Sequence, residues 1–142
     1  MKTARVALLM LFVLFLAPLV AADNLDFSEL YIQGVLGSKF SPQVLAAKGH
    51  SVSISGYMAP PLRVKGNFFV LTKQPVSLCP FCQSDADWPA DIIVIYLEKS
   101  QVFLPNGSPI IVTGKLQVGS YTDPDTGFVS QLRLVGASYQ NF

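Results

Sequence analysis

The hydrophobic and polar positions after residue 50 follow the pattern of β-strands. In the first run, serines alternate with Val52, Ile54 and Gly56, which is the period of a strand with one buried face. Four more apolar or alternating runs, each bounded by turn residues, predict strands over Phe68–Thr72, Ile92–Leu97, Ile110–Val118 and Phe128–Val135. The run 92–97 is apolar at nearly every position, so we expect this strand to be buried on both faces.

A short helix is predicted ahead of these strands. Ser41 can accept hydrogen bonds from free N–H groups of a first turn, and the following proline suits the first helical position. A glycine stands where such a helix would stop, so we predict a helix over 42–48 with Val44 and Leu45 facing inward. Residues 23–37 carry several apolar side chains whose spacing fits either a short helix or a strand, and both remain open.

Five strands and one short helix predict an all-β fold with a short N-terminal helix. The most economical architecture is a five-stranded, OB-like small barrel. Glycines inside or beside the predicted strands fit the tight coiling that such a barrel needs. A β-sandwich is the alternative, although it would usually contain more strands at regular spacing.

The first 22 residues have the three parts of a cleavable secretory signal peptide. Lys2 and Arg5 supply the basic region, residues 6–16 form an unbroken apolar run, and small side chains at Val20 and Ala22 suit a signal peptidase. The alternative is a membrane anchor, but the apolar run is shorter than the roughly 20 residues that span a bilayer. We therefore predict a signal peptide over 1–22 and a single β-rich extracytoplasmic domain over 23–142, periplasmic or secreted.

The charge balance changes once the signal peptide is removed. The full chain has ten basic and nine acidic residues, and loss of Lys2 and Arg5 leaves eight basic residues, for a formal charge of −1. A nearly neutral domain lacks the basic surface that nucleic acids or anionic membranes attract. We therefore expect no nucleic-acid partner and no stable membrane insertion after cleavage.

The chemistry most visible in the sequence is a CxxC pair formed by Cys79 and Cys82, in a long irregular loop over 73–91. Such a pair can be a structural disulfide, a redox-active dithiol or part of a metal site, and all three remain open. The oxidising space outside the cytoplasm makes a disulfide the default. The acidic residues that follow would raise the pKa of a nearby thiol, which disfavours a reactive thiolate.

A metal site would need ligands beyond the two cysteines. Asp85 and Asp87 are close enough in sequence to join Cys79 and Cys82, and zinc and copper are the candidate ions. The role of His50, the only histidine, is left open because nothing in the sequence places it beside the loop.

Two aromatic residues are candidates for binding. Trp88 stands next to a proline at the end of the cysteine loop, although an aromatic residue in this position more often packs on the core. Tyr57 stands near the end of the first predicted strand. The sequence shows no catalytic constellation, so an enzyme is disfavoured without being excluded.

The segment 56–60, Gly-Tyr-Met-Ala-Pro, resembles the strand end of a family of uncharacterised bacterial periplasmic proteins. In that family a Phe-rich strand, a cysteine loop and a Pro-led apolar strand follow, as they do here over 68–72, 79–82 and 89–97. The resemblance implies a binding or accessory module of an envelope transport or metal-handling system, with an envelope protein as partner. The alternative function is a periplasmic thiol-disulfide oxidoreductase.

Overall fold

The described chain consists mostly of β-strands. The computed structural model of the protein describes residues 22–60, 67–77, 88–102, 104–105 and 107–142. Its elements are β1 (Asp23–Leu25), a 3₁₀ helix (Phe27–Glu29), β2 (Tyr31–Gly34), β3 (Gly37–Phe40), α1 (Pro42–Ala47), β4 (Ser51–Met58), β5 (Phe68–Thr72), β6 (Ile92–Leu97), β7 (Pro109–Thr122) and β8 (Val129–Asn141). In these described ranges, neither helix is long and apolar enough to cross a membrane.

The five predicted strands are all present, and their pairings form a ring. β4 pairs with β5, β5 with β6, β6 with β8 and β8 with β7, and β7 pairs again with β4. The β6–β8 pairing is parallel and the other four are antiparallel. The prediction of a mostly-β fold is therefore confirmed.

The N-terminal segment, which the sequence left open, divides into several short elements. β1 runs parallel to β4, with Leu25 opposite Ile54, and β2 and β3 form a separate two-stranded hairpin. Asp26 and Glu29 form a capping box around the 3₁₀ helix. The segment thus contributes one strand to the main sheet and a hairpin outside it.

Helix α1 begins where the sequence predicts. The Ser41 hydroxyl accepts a hydrogen bond from the backbone N–H of Val44 at 3.2 Å, and a proline occupies the first turn. Val44 is fully buried, but Leu45 is 55% exposed, so the prediction that Leu45 faces inward was wrong. Ala47 is buried instead, because residues three apart share a helix face.

The main core lies between the ring of strands and the N-terminal elements. Each of the five strands contributes alternate side chains to it, and the 3₁₀ helix and α1 add Phe27 and Val44. The core members with no exposed surface are Leu30, Val44, Val52, Phe69, Leu71, Ile95, Ile110, Val112, Leu116, Leu132 and Leu134.

Strands β5 and β6 are buried on both faces, as predicted for β6. Their second face carries a smaller apolar cluster that includes Val70 and Ile92, with Trp88 and Phe128 packed against it. The Phe68 ring lies 5.3 Å from that of Phe128, which follows the β7–β8 turn. The end of the β7–β8 hairpin therefore covers part of this face.

Strands β7 and β8 extend beyond their predicted ends. The β7–β8 pairing shifts register between Val118 and Tyr121, and Gly119 there has a φ of +111°, a conformation that favours glycine. An irregularity of this kind bends a hairpin, and the bend brings Tyr121 over the outer surface of the sheet.

Candidate functional site

Most of the predicted site residues lie outside the described part of the chain. These are Cys79, Cys82, Asp85 and Asp87. Their disulfide, redox and metal-binding roles therefore stay predictions. The described chain resumes at Trp88, immediately after this segment.

Trp88 connects the end of the cysteine loop to the N-terminal hairpin. Its indole Nε1–H donates a hydrogen bond to the Tyr31 Oη at 2.8 Å, across 57 positions of sequence. The side chain is half-buried and packs against both apolar clusters. The structure thus gives Trp88 a packing role and also places it beside an open groove.

This groove, which we call the hairpin groove, lies between the β2–β3 hairpin and the end of the cysteine loop. Its volume is about 550 Å³. Tyr31 and Phe40 contribute aromatic rings whose centroids are 5.2 Å apart, and Lys39 contributes a positive charge. The described residues that line it are Tyr31, Ser38, Lys39, Phe40, Trp88, Ala90 and Gln131.

The phenol of Tyr31 is held in its neutral form. Burial raises the pKa of Tyr31 to about 12, while the hydrogen bond from Trp88 opposes the shift. A neutral phenol can accept a hydrogen bond from the Trp88 indole and also donate one to another group. Tyr31 therefore provides a polar group in the otherwise aromatic part of the groove.

The hairpin also exposes apolar side chains at its tip. Val35 and Leu36 form the turn between β2 and β3 and are fully exposed, and Ile32 is 41% exposed. Single exposed apolar residues are ordinary, but adjacent ones at a projecting tip beside a groove suit contact with another protein.

Tyr57 lies away from the hairpin groove. It is half-buried on β4, where it is paired with Thr72 of β5 and Pro109 of β7. Its backbone carbonyl accepts a hydrogen bond from the Thr72 hydroxyl at 3.2 Å. Tyr57 does not line the groove that contains Trp88, so the two predicted binding residues do not form one site there.

His50 lies at a different position again, just before β4. It is exposed and lines a cavity of about 450 Å³ together with Asp23 and Glu29. Across the described ranges, no three His, Cys, Asp or Glu residues come close enough together to hold a metal ion. The role of His50 stays open.

A second pocket, which we call the Arg133 pocket, lies on the outer surface of β6, β7 and β8. It has a volume of about 280 Å³ and is lined by Tyr96, Gln117, Tyr121, Arg133 and Val135. It is separate from the hairpin groove, since the two share no lining residue.

Arg133 is the centre of this pocket and is only 8% exposed. Its Nε–H donates to the Gln117 Oε1 at 2.9 Å, and its Nη1–H donates to the Gly119 carbonyl at 2.8 Å. The guanidinium carbon lies 4.5 Å from the centroid of the Tyr121 ring. Burial lowers the pKa of Arg133, although two neighbouring tyrosines oppose this.

Tyr96 carries the other polar group of the pocket. Its hydroxyl is buried and makes no well-aligned hydrogen bond among the described residues, although it lies close enough to the Asp123 carboxylate for a hydrogen bond between them to affect both pKa values. Burial, followed by the negative charge of Asp123, raises the pKa of Tyr96 well above its ordinary value. Tyr96 therefore remains a neutral O–H donor at neutral pH.

Asp123 belongs to the β7–β8 turn. Its Oδ1 accepts hydrogen bonds from the backbone N–H of Asp125 and of Thr126, and from the Thr126 hydroxyl at 2.8 Å. Burial alone would raise the pKa of Asp123, but these hydrogen bonds outweigh it and the pKa is lowered.

Sequence reasoning missed both Tyr31 and Arg133. A signal for Tyr31 existed, because two short runs flank Gly34 and Gly37 with two residues between them, which is the spacing of a tight hairpin. Arg133 stands between two core leucines, so alternation predicts it on the solvent face. Only the bent β7–β8 hairpin buries it.

Comparison with known proteins identifies a similar fold. No family model matches the chain, and no curated protein matches it. A crystal structure of a DUF3299 family protein from Pseudomonas aeruginosa PAO1 is similar, with a TM-score of 0.54 and 13% identity. The similarity covers 86% of this chain and 97% of that one. DUF3299 denotes a bacterial domain of unknown function, so the likeness shows the fold alone.

Proposed function

We propose that this protein is an exported, non-catalytic binding module built on an OB-type barrel. It serves as an accessory protein of an envelope transport or metal-handling system. The observation that carries the proposal is the hydrogen bond from Trp88 to Tyr31. This bond ties the end of the cysteine loop to a hairpin that has an exposed apolar tip and an open aromatic groove.

The barrel is supported by the ring of strand pairings. A β-sandwich keeps two sheets apart, whereas here β4 pairs with β5 on one side and with β7 on the other. An OB barrel has five strands with a Greek-key path, and the strand number and the closing β4–β7 pairing both fit it. Under this proposal β1, the 3₁₀ helix and α1 cover the core at one end.

Export is supported by the basic and apolar regions of the first 22 residues. β1 begins at Asp23, so cleavage after Ala22 leaves every described strand intact. An extracytoplasmic location also makes a disulfide between Cys79 and Cys82 the resting state.

The partner is an envelope protein that contacts the hairpin groove and the hairpin tip. The aromatic residues of the groove and the exposed apolar tip supply apolar contact area. Lys39 supplies a positive charge that orients the partner. The cysteine loop ends at Trp88, which lines the groove. Cys79 and Cys82, with any disulfide, zinc or copper that they form or bind, are therefore close in sequence to a groove residue.

Site-specific photo-crosslinking in the native host tests the binding proposal. A photoreactive residue at Leu36 or Lys39 should give one discrete crosslinked envelope protein, and the same residue at Leu45 should not. Leu45 is a matched control because it is exposed on α1, outside the groove. Equal crosslinking from all three positions, or none from the hairpin, would rule the hairpin out as the binding surface.

The alternative function is a thiol-disulfide oxidoreductase, and its redox chemistry distinguishes it experimentally from the binding module. It requires a bridge between Cys79 and Cys82 that glutathione reduces, and turnover in insulin reduction. A structural bridge resists glutathione, and a metal site holds zinc or copper that is lost in Cys79→Ser. Trp88, the only tryptophan, reports loop changes through its fluorescence. Insulin turnover that disappears in Cys79→Ser would replace the binding proposal with the enzyme.

A further inference from the structure

The Arg133 pocket contains a buried positive charge that has no counter-ion among the described residues. Arg133 is 92% removed from solvent, yet its two hydrogen bonds go to neutral oxygens of Gln117 and Gly119. No described carboxylate forms an ion pair with it. Burying an unpaired charge is costly unless something compensates, and the Tyr121 ring supplies only part of the compensation.

The hydrogen-bonding capacity of this guanidinium is only partly used. A guanidinium has five N–H donors, and two of them are used here, by the Gln117 and Gly119 oxygens. The Tyr96 hydroxyl, also in the pocket lining, is a further donor that makes no well-aligned hydrogen bond in the described chain, although the Asp123 carboxylate lies near it. The free N–H groups of Arg133 and this hydroxyl line one cavity, which is an arrangement complementary to an oxyanion.

We propose that the Arg133 pocket binds a small organic monocarboxylate. The carboxylate accepts hydrogen bonds from Arg133 and Tyr96, and the rings of Tyr96 and Tyr121 and the side chain of Val135 contact the apolar part of the ligand. The pocket volume of about 280 Å³ suits a ligand of small size.

The charge balance favours a monocarboxylate over phosphate or sulfate. Arg133 is the only cation among the described residues of the lining, and the Asp123 carboxylate is close enough to raise the pKa of Tyr96. One buried positive charge neutralises one negative charge. A dianion would leave a net negative charge next to Asp123. The aromatic and aliphatic walls also favour a ligand with a carbon skeleton.

Titration calorimetry of the mature protein with benzoate, acetate and inorganic phosphate tests the proposal. We expect saturable binding of one benzoate per chain and weaker binding of phosphate. Arg133→Met should weaken benzoate binding at least about tenfold, since it removes the charge-assisted hydrogen bonds to the carboxylate. Lys115→Met is the control, because it removes an exposed cation of β7 outside the pocket and should leave the affinity unchanged.

The Tyr96→Phe variant tests whether the Tyr96 hydroxyl serves ligand binding or only the stability of the fold. The substitution removes a buried hydroxyl that makes no well-aligned hydrogen bond in the described chain, so the fold should be about as stable as wild type. The benzoate affinity should nevertheless fall several-fold. If Arg133→Met fails to fold, the Tyr96→Phe titration still decides the question.

Three results would overturn the proposal. One is the absence of saturable binding of either carboxylate by the wild-type protein. Another is an unchanged benzoate affinity in Tyr96→Phe or in a folded Arg133→Met variant. The third is phosphate binding as tight as benzoate binding, which would contradict the monocarboxylate class. None of these results bears on crosslinking from the hairpin, because the two sites share no residue.

Discussion

Several polar side chains in this protein are placed in largely apolar surroundings. Tyr31 and Trp88 satisfy each other with one hydrogen bond at the hairpin groove. Arg133 donates to two neutral acceptors, and the Tyr96 hydroxyl makes no well-aligned hydrogen bond in the described chain, although the Asp123 carboxylate lies near it. A buried polar group without a partner costs about 1–3 kcal/mol. The two tyrosines therefore differ: the Tyr31 hydroxyl joins two segments of the chain, and the Tyr96 hydroxyl makes no such link.

Tyr31 makes the stability of the protein sensitive to alkali. Its pKa is about 12 in the folded protein, against an ordinary value of 10.0. Because its pKa is raised, Tyr31 holds its proton more tightly in the folded state than in the unfolded state. The stability that this difference contributes is complete below pH 10 and is lost as the pH rises toward 12. We expect the wild-type protein to lose stability relative to Tyr31→Phe across that interval.

Urea unfolding at several pH values measures this difference. Tyr31→Phe also removes the acceptor of the Trp88 hydrogen bond, so the variant should be less stable than wild type below pH 10. The gap should narrow on going to pH 12. A constant gap over the whole range would show that the ionisation of Tyr31 is not linked to folding.

Among the elements, β4 is the strand that joins the others. It pairs with β1, β5 and β7, and its pairing with β5 begins at Tyr57, next to Gly56. A Cβ atom at Gly56 would lie 2.8 Å from the Thr72 carbonyl oxygen and 3.0 Å from a carbon of the Phe27 ring. The missing side chain therefore lets β5 and the 3₁₀ helix approach the same point of β4.

Gly56→Ala should destabilise the fold. The added methyl meets backbone of β5, which cannot move away as a flexible side chain would, and overpacking of this kind costs about 1–3 kcal/mol. Ser55→Ala, at the exposed neighbouring position, is the control and should change stability by less than about 0.5 kcal/mol. Urea unfolding gives both values. Equal stability of the two variants would mean that β4 and β5 do not approach as described.

Local sequence patterns located the elements with regular periods. The alternation over 51–58 and the apolar run 92–97 each gave a strand with the predicted bounds or nearly so. The β2–β3 hairpin was missed because its residues alternate weakly and Val35 and Leu36, both apolar, lie at the exposed tip. The added length of β7 and β8 was missed because it depends on their pairing with each other.

For the whole molecule, the proposed export would decide the chemistry available to the cysteines. In the cytoplasm a CxxC pair remains reduced, whereas an exported protein would expose Cys79 and Cys82 to oxidants. Removal of the proposed leader would also change the formal charge of the chain from +1 to −1. The first effect depends on export and the second on cleavage after Ala22.

The export proposal predicts that the mature protein begins at Asp23. Mass spectrometry of the exported protein should find that N-terminus. Ala22→Phe should block processing and accumulate the precursor, because the peptidase requires a small residue immediately before the cut. Ala21→Phe is the matched control, since the adjacent position has no such requirement. An intact leader on the exported wild-type protein would contradict the prediction.

The mostly-β character, the helix start at Ser41 and the expectation of export could all be derived from the sequence, because each depends on residues close together in the chain. Which distant residues meet depends on the packed fold. Trp88 reaches Tyr31 across 57 positions, and Arg133 is buried only because the β7–β8 hairpin bends over it. Alternation tells which face of a strand a side chain occupies, but only the packed fold tells whether that face is covered.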